Sequence, residues 1–168
     1  MKITIDRLSV SGIKKAIKQI EDYKKSFKKK NDLFVERLAE LGIPIIDSNM
    51  AKAQGDSDKS HKTKIVLSHK KNTSVARLVL QGKDILFIEF GAGVFYNPDG
   101  SKHPKSSQFG YEIGTYGKGK GKYKQWYYYY DDGETKISHG TEATMPMYRA
   151  DMEIISKITQ IAREVFRS

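Results

Sequence analysis

The chain of 168 residues contains no cysteine. Disulfides and thiolate metal sites are therefore excluded, and an intracellular or assembly-linked life fits better than a disulfide-dense secreted one. Long apolar runs are also missing. Even Ile85-Leu86-Phe87-Ile88 falls far short of the roughly 18 apolar residues that span a bilayer. The opening MKITIDRLSV has no apolar stretch of signal-peptide type, so no secretory signal is expected there. Arginine is scarce beside lysine, and arginine is the residue that grips phosphate or base edges bidentately. There is no GxSxG elbow and no cysteine nucleophile, so catalysis has little support.

What is present is positive charge, a net +10, in a chain 38% hydrophobic and 30% charged. The length suits a single domain, 1–168, with a real core and a wet surface. Such a charge surplus draws polyanions, either nucleic acid or an acidic protein face. Lysine also serves plain solubility, and the charge does not choose between these roles.

The first long element reads as a helix. Ile13, Ile20, Phe27, Phe34 and Leu41 recur every seventh position, with Ala16, Ile17, Tyr23 and Leu38 between them. Ser11 is the expected N-cap, and Gly42 followed by Pro44 the expected stop. An unbroken helix of about 30 residues would be roughly 45 Å long. That exceeds a small domain's width, so either part of the stripe meets a neighbour or the helix breaks near Asn31. Lys24, Lys25, Lys28, Lys29 and Lys30 lie mostly off the stripe. A solvated face is the simpler reading for them, and a nucleic-acid contact the sharper one.

Residues 47–62 are polar and aperiodic and read as a loop or weak edge strand. Strands are expected at Lys64 to Ser68, Val75 to Leu80 and Ile85 to Phe90, joined by polar turns as a meander. The third is apolar on both faces as far as Glu89 and is expected to be central. From Gly91 to Lys124 glycines punctuate a long exposed loop, the kind that carries function or orders on a partner. Trp126 to Tyr130 is strand-prone, Asp131 to Glu134 turns it, and Thr135 to Ser138 returns. Met147 to Phe166 reads as a helix entered through Pro146, with Tyr148, Met152, Ile155, Ile158, Ala162 and Val165 inward and Ile154 and Ile161 widening the stripe. The expected class is α+β: a mostly antiparallel sheet of roughly four or five strands, packed by the two helices.

Candidate chemistry is thin. Gly114 to Gly121 approaches a phosphate loop, but Gly121 supplies no hydroxyl where the motif needs Ser or Thr for Mg²⁺. His61, His69, His103 and His139 sit singly in polar stretches, with no HxH or HxxxH pair for a metal. Asp131, Asp132 and Glu134 crowd a turn, where carboxylates form turns more often than they work as acid–base pairs. The aromatic strand beside Lys118, Lys120, Lys122 and Lys124 admits base stacking, which makes a nucleic-acid-binding module the alternative reading. Alternation, however, puts Trp126, Tyr128 and Tyr130 on one face and Tyr127 and Tyr129 on the other. One set suits the core. The other suits a protein interface, where exposed tyrosines are common.

The order of features carries a resemblance. Phe87-Ile88-Glu89-Phe90-Gly91-Ala92-Gly93 closes an apolar element, a Gly-rich loop and the Trp126-Tyr127-Tyr128 strand follow, and Ser138-His139-Gly140-Thr141 and Ala143-Thr144-Met145-Pro146-Met147-Tyr148 open the last helix. This resembles the tail-completion, or head–tail joining, family of small tail-component proteins of long-tailed bacteriophages. Glu89, Phe90, Gly91 and Gly93 match that family's EFG-x-G motif. Gly140, Ala143, Pro146, Met147 and Tyr148 match its G-x-P-A-x-x-P-M-Y-like motif, with Glu142 in place of the first proline. The resemblance is strongest over residues 75–166. It implies a structural virion protein of the tail or neck, present in host cytoplasm during assembly, with no cofactor, no catalysis and no membrane association. Its implied partners are connector, tail-terminator or tail-tube proteins, and copies of itself in a ring, with a weak DNA contact allowed. Interface candidates are Glu89, Phe90, Gly91, Gly93, Tyr116, Lys118, Lys120, Lys122, Tyr127 and Tyr129, together with Lys24 and Lys28 on the basic helix face.

Overall fold

The structure, a computed structural model, describes residues 9–70, 73–100, 102–110, 123–129 and 133–167, and of Tyr128 the backbone alone. Helix α1 spans Val10–Lys52 and helix α3 Pro146–Arg167. Between them lie β1 (Lys62–Lys70), β2 (Thr73–Gln81), the short helix α2 (Ile85–Phe90), a 3₁₀ turn at Ser107–Phe109, β3 (Trp126–Tyr129) and β4 (Thr135–Ser138). The class is α+β, with the two long helices packed together and four strands paired as two separate antiparallel ribbons, β1–β2 and β3–β4.

Helix α1 is longer than its stop signals suggest. It starts two residues earlier than expected, capped by Ser9, whose hydroxyl accepts the Gly12 N–H at 3.1 Å; Ser11 lies inside the first turn. It then runs straight through Gly42 and Pro44 for 43 residues, about 65 Å. A proline inside a helix costs about 3 kcal/mol. The turns beyond it carry Ile46 and Met50, both fully buried, and each such side chain contributes about 1.5–3 kcal/mol. Core burial thus outweighs the local break, and residues 47–52 are helix rather than loop. Gly42 is a point of close approach: a Cβ there would sit 2.3 Å from a Leu78 methyl and 3.3 Å from Ile154.

The core gathers Ile46, Met50, Ala53, Ile88 and Ala150, with Ile45, Leu78, Leu80, Ile85 and Met147 against it. Ile85 to Phe90 is not the central strand expected but α2. An apolar run this short suits either state. Here Phe87 N–H and Ile88 N–H both bond to the Asp84 carbonyl, and Gly91, at φ 82°, closes the helix by donating to the Phe87 carbonyl. Among the described residues no third strand lies beside β2, and the strands pair as two ribbons in place of the expected single sheet of four or five. The β1–β2 ribbon pairs Lys62 with Gln81 through to Lys70 with Thr73, longer at both ends than the sequence pattern suggests.

Helix α3 buries only part of the wide apolar stripe its sequence suggests: Val165, Ile161 and Ile154 turn inward as expected. Ala150, Ile161 and Val165 are buried, while Met152, Ile155 and Ile158 are exposed. The small Ala150 and Ile154 lie against Gly42, so the close approach of the two backbones selects the narrow side of α3.

Candidate docking site

Two sequence segments that lie far apart in the chain interlock. Helix α3 has no acidic residue in its first turn, and its leading N–H groups need acceptors. The carboxylate of Glu89, at the end of α2, supplies them: Oε2 accepts from Met147 N–H at 2.8 Å and Oε1 from Tyr148 N–H at 3.0 Å. An anion at a helix N-terminus is stabilised by the helix dipole as well. Oε1 also accepts from His103 Nε2 at 3.0 Å, with Glu89 and His103 only 7% and 4% exposed. Lys105 N–H donates to His103 Nδ1, so Nδ1 carries no proton and the ring is held as its Nε2–H tautomer. The imidazole lies between the rings of Phe90 and Tyr148, at centroid distances of 4.4 and 5.2 Å.

Asn97 forms a second tie. It is fully buried. Its amide donates to the carbonyls of Gly93 and Thr141, and its oxygen accepts the Ala143 N–H. Gly91 has room for no Cβ because the Asn97 amide lies 2.7 Å from where it would be. Ala92 and Thr141 exchange both backbone hydrogen bonds, at 2.9 and 2.8 Å. Gly140 passes so close that a Cβ would meet the Ala92 carbonyl oxygen at 1.9 Å. Met145, at φ 56°, is the strained residue that turns the chain into Pro146. Thr144 Oγ1 is buried without a hydrogen-bond partner among the described residues.

The β3–β4 ribbon stands on this knot. Trp126 is its anchor, with its ring 2.8 Å from the position a Gly93 Cβ would take. Tyr127 pairs with Ile137 and Tyr129 with Thr135, so these side chains share the opposite face. Tyr127 is 60%, Tyr129 70% and Ile137 49% exposed. Phe95, also exposed, leans on His139 at the foot of β4. Among the described residues β3 and β4 pair only with each other, so each has an open edge. A two-stranded ribbon is marginal by itself, and an open edge is a ready template for another strand.

The expected site residues separate into three groups. Tyr127, Tyr129, Lys24 and Lys28 are on the surface. Glu89, Phe90, Gly91 and Gly93 are buried in the knot rather than on the surface; the α2 turn and the α3 cap draw them inward. Tyr116, Lys118, Lys120, Lys122, Tyr130, Asp131, Asp132 and the 114–121 stretch lie outside the described residues. The loop from Gly91 is also less exposed than expected, because Asn97, Gly100 and His103 are buried.

The histidines do not stand alone. Besides His103, His69 meets Asp32 at 3.0 Å and His61 meets Asp47 at 3.0 Å. The Lys59 carbonyl, then Asp47, holds the His61 pKa above its ordinary value, against a smaller opposing effect of burial. Asp56, Asp58 and Asp84 border a hollow of about 420 Å³ below the ribbon. Each accepts a backbone N–H, from His139, Ser60 and Asp58 respectively; the Asp58–Ser60 bond closes a local turn, and the other two tie distant segments together. Asp58 is pulled below the usual carboxylate range by the Ser60 hydroxyl first and the Ser60 N–H second. Among the described residues no three His, Asp or Glu side chains gather in a way that could hold a metal ion. No described helix is long and apolar enough to cross a membrane.

Sequence reasoning missed Asn97 and the Glu89–His103 pair. Asn97-Pro98 reads as a turn, and the partners of Glu89 lie 58 and 59 positions away. No protein-family model, curated protein or solved structure matches the chain.

Proposed function

We propose that the chain is a structural protein of a long-tailed bacteriophage or prophage that completes the tail end and helps join tail to head by docking onto other proteins. The observation that carries this reading is the contact between the two motifs of the resemblance. Glu89 of the EFG-x-G segment caps the helix opened by Pro146-Met147-Tyr148. A pair of motifs that meet as one structural unit is a better mark of shared architecture than two short matches taken singly. The exposed tyrosine face and open edges of the β3–β4 ribbon supply the docking surface. Neighbouring neck, terminator or tube proteins, and further copies in a ring, are the partners in this reading. No catalytic step and no cofactor belong to it.

Immunogold labelling of phage particles from the source strain tests the assignment. Label at the head–tail junction is expected. Particles without label would contradict it, and tight binding of duplex DNA at physiological salt, falling steeply as salt is added, would replace it with the nucleic-acid reading.

A further inference from the structure

The apolar stripe of α1 has two fates along its length. From Phe27 onward the chain covers it: Phe27 and Phe34 pack on Phe166, at 5.6 and 5.8 Å, and Gly42 lies against Ala150 and Ile154. Helix α3 therefore runs antiparallel to α1 and ends beside Phe27. Before Phe27 the same stripe continues through Ile20, Ile17 and Ile13, which stay exposed, while the small Ala16 between them is buried. Ile17 and Ile20 are each 52% exposed, with Ile13 and Tyr23 similar.

We propose that this overhang is a docking site for one amphipathic α-helix of another protein, flanked by acidic residues and lying end to end with α3. The stripe repeats at every seventh position from Ile13 to Leu41, with one polar gap near Lys30 and Asn31, and seven is the period that seats the side chains of a facing helix. The occupant continues an interface the chain already builds with its own α3. The free stretch from Val10 to Phe27 is about 26 Å, which a helix of about 17 residues covers.

Charge selects the occupant. This segment carries Lys14, Lys15, Lys18, Lys24 and Lys25, with Lys28 and Lys29 just beyond it, against only Glu21 and Asp22. A second copy of α1 laid on the stripe would set lysines against lysines, which costs affinity. A helix with Glu or Asp beside its apolar seam is attracted instead. Nucleic acid would meet the lysines and leave the isoleucines wet. The proposal needs only α1 and its charge, and stands whether or not the chain belongs to a phage tail.

The test uses the full chain and a labelled synthetic amphipathic peptide of about three heptads, with Leu in the seam and Glu on the flanks. A twin peptide carries Lys on the flanks. Anisotropy titration at physiological salt is expected to show the Glu peptide binding at least about tenfold tighter than its twin. Ile17→Asp with Ile20→Asp is expected to remove that binding while Tm holds, since both side chains are exposed. Lys24→Glu with Lys28→Glu is expected to narrow the preference between the twins. Equal binding of the twins, or unchanged binding by the Ile17/Ile20 variant, overturns the proposal. So does a dimer in sedimentation equilibrium that this variant dissociates. Stronger binding to phosphatidylglycerol vesicles than to the Glu peptide, lost in the same variant, overturns it in favour of a membrane surface.

Discussion

The carboxylate of Glu89 accepts the backbone N–H of Tyr148 at 3.0 Å and joins the end of α2 to the start of α3. The same carboxylate holds Met147 N–H and His103, so one buried side chain sets where the last helix begins and where the 97–105 segment folds back. The β3–β4 ribbon is positioned by the neighbouring turns at Gly93 and Gly140.

Glu89→Ala removes the acceptor for three buried or half-buried donors. Each unsatisfied donor costs about 1–3 kcal/mol. The variant is expected to lose about 3 kcal/mol or more in urea unfolding. Glu89→Gln keeps one oxygen but turns an amide toward a backbone N–H, and is expected to fall between it and wild type. A loss below about 0.5 kcal/mol for Glu89→Ala, within the range of ordinary surface changes, would show that the cap is not holding α3.

Two glycines with the same backbone sign separate strain from crowding. Gly133 has φ 83° and open space where a Cβ would be. Gly133→Ala is expected to cost about 1 kcal/mol, the left-handed penalty alone. Gly140 has φ 88° and the Ala92 carbonyl oxygen at 1.9 Å from that position. Gly140→Ala must also part the Ala92–Thr141 bridge and is expected to cost about 3 kcal/mol or more. Equal Tm shifts for the two variants would contradict this packing.

His61 donates to the Lys59 carbonyl and to Asp47, at 2.8 and 3.0 Å, and its pKa is raised above 6.5 in the folded chain. The folded state therefore binds this proton more tightly than the unfolded state. The stability it adds is fully present below pH 6.5 and is lost as pH rises through the raised value. Solvent screening keeps the contribution below about 1 kcal/mol. Thermal melts are expected to show a small fall in Tm from about pH 6 to about pH 8 that His61→Gln abolishes. An unchanged slope in the variant would place the titration elsewhere.

Strand propensity and polar turns made both ribbons readable, and periodicity made the two long helices readable. It also foretold that Tyr127 and Tyr129 share a face. Three features escaped it for distinct physical reasons. Pro44 signals a stop, but the burial of Ile46 and Met50 beyond it outweighs the lost hydrogen bond. Ile85 to Ile88 is an unbroken apolar run, so neither period shows; the glycine cap at Gly91 was the available clue to a helix. Glu89, Asn97 and His103 are polar residues whose partners lie 14 to 59 positions away, and no local pattern announces such pairing. The matched motif residues are accordingly buried ties, and the outer face of the ribbon is the exposed surface beside them.

The central claim is that this ribbon docks. Tyr127→Glu with Tyr129→Glu changes two exposed side chains and is expected to leave the melting transition cooperative, with a Tm near wild type. Electron microscopy of particles produced in the source strain with this variant as the sole copy is the most direct measurement. Separate full heads and tails in place of joined virions are predicted. Normal virions made by a stably folded double variant would contradict the claim.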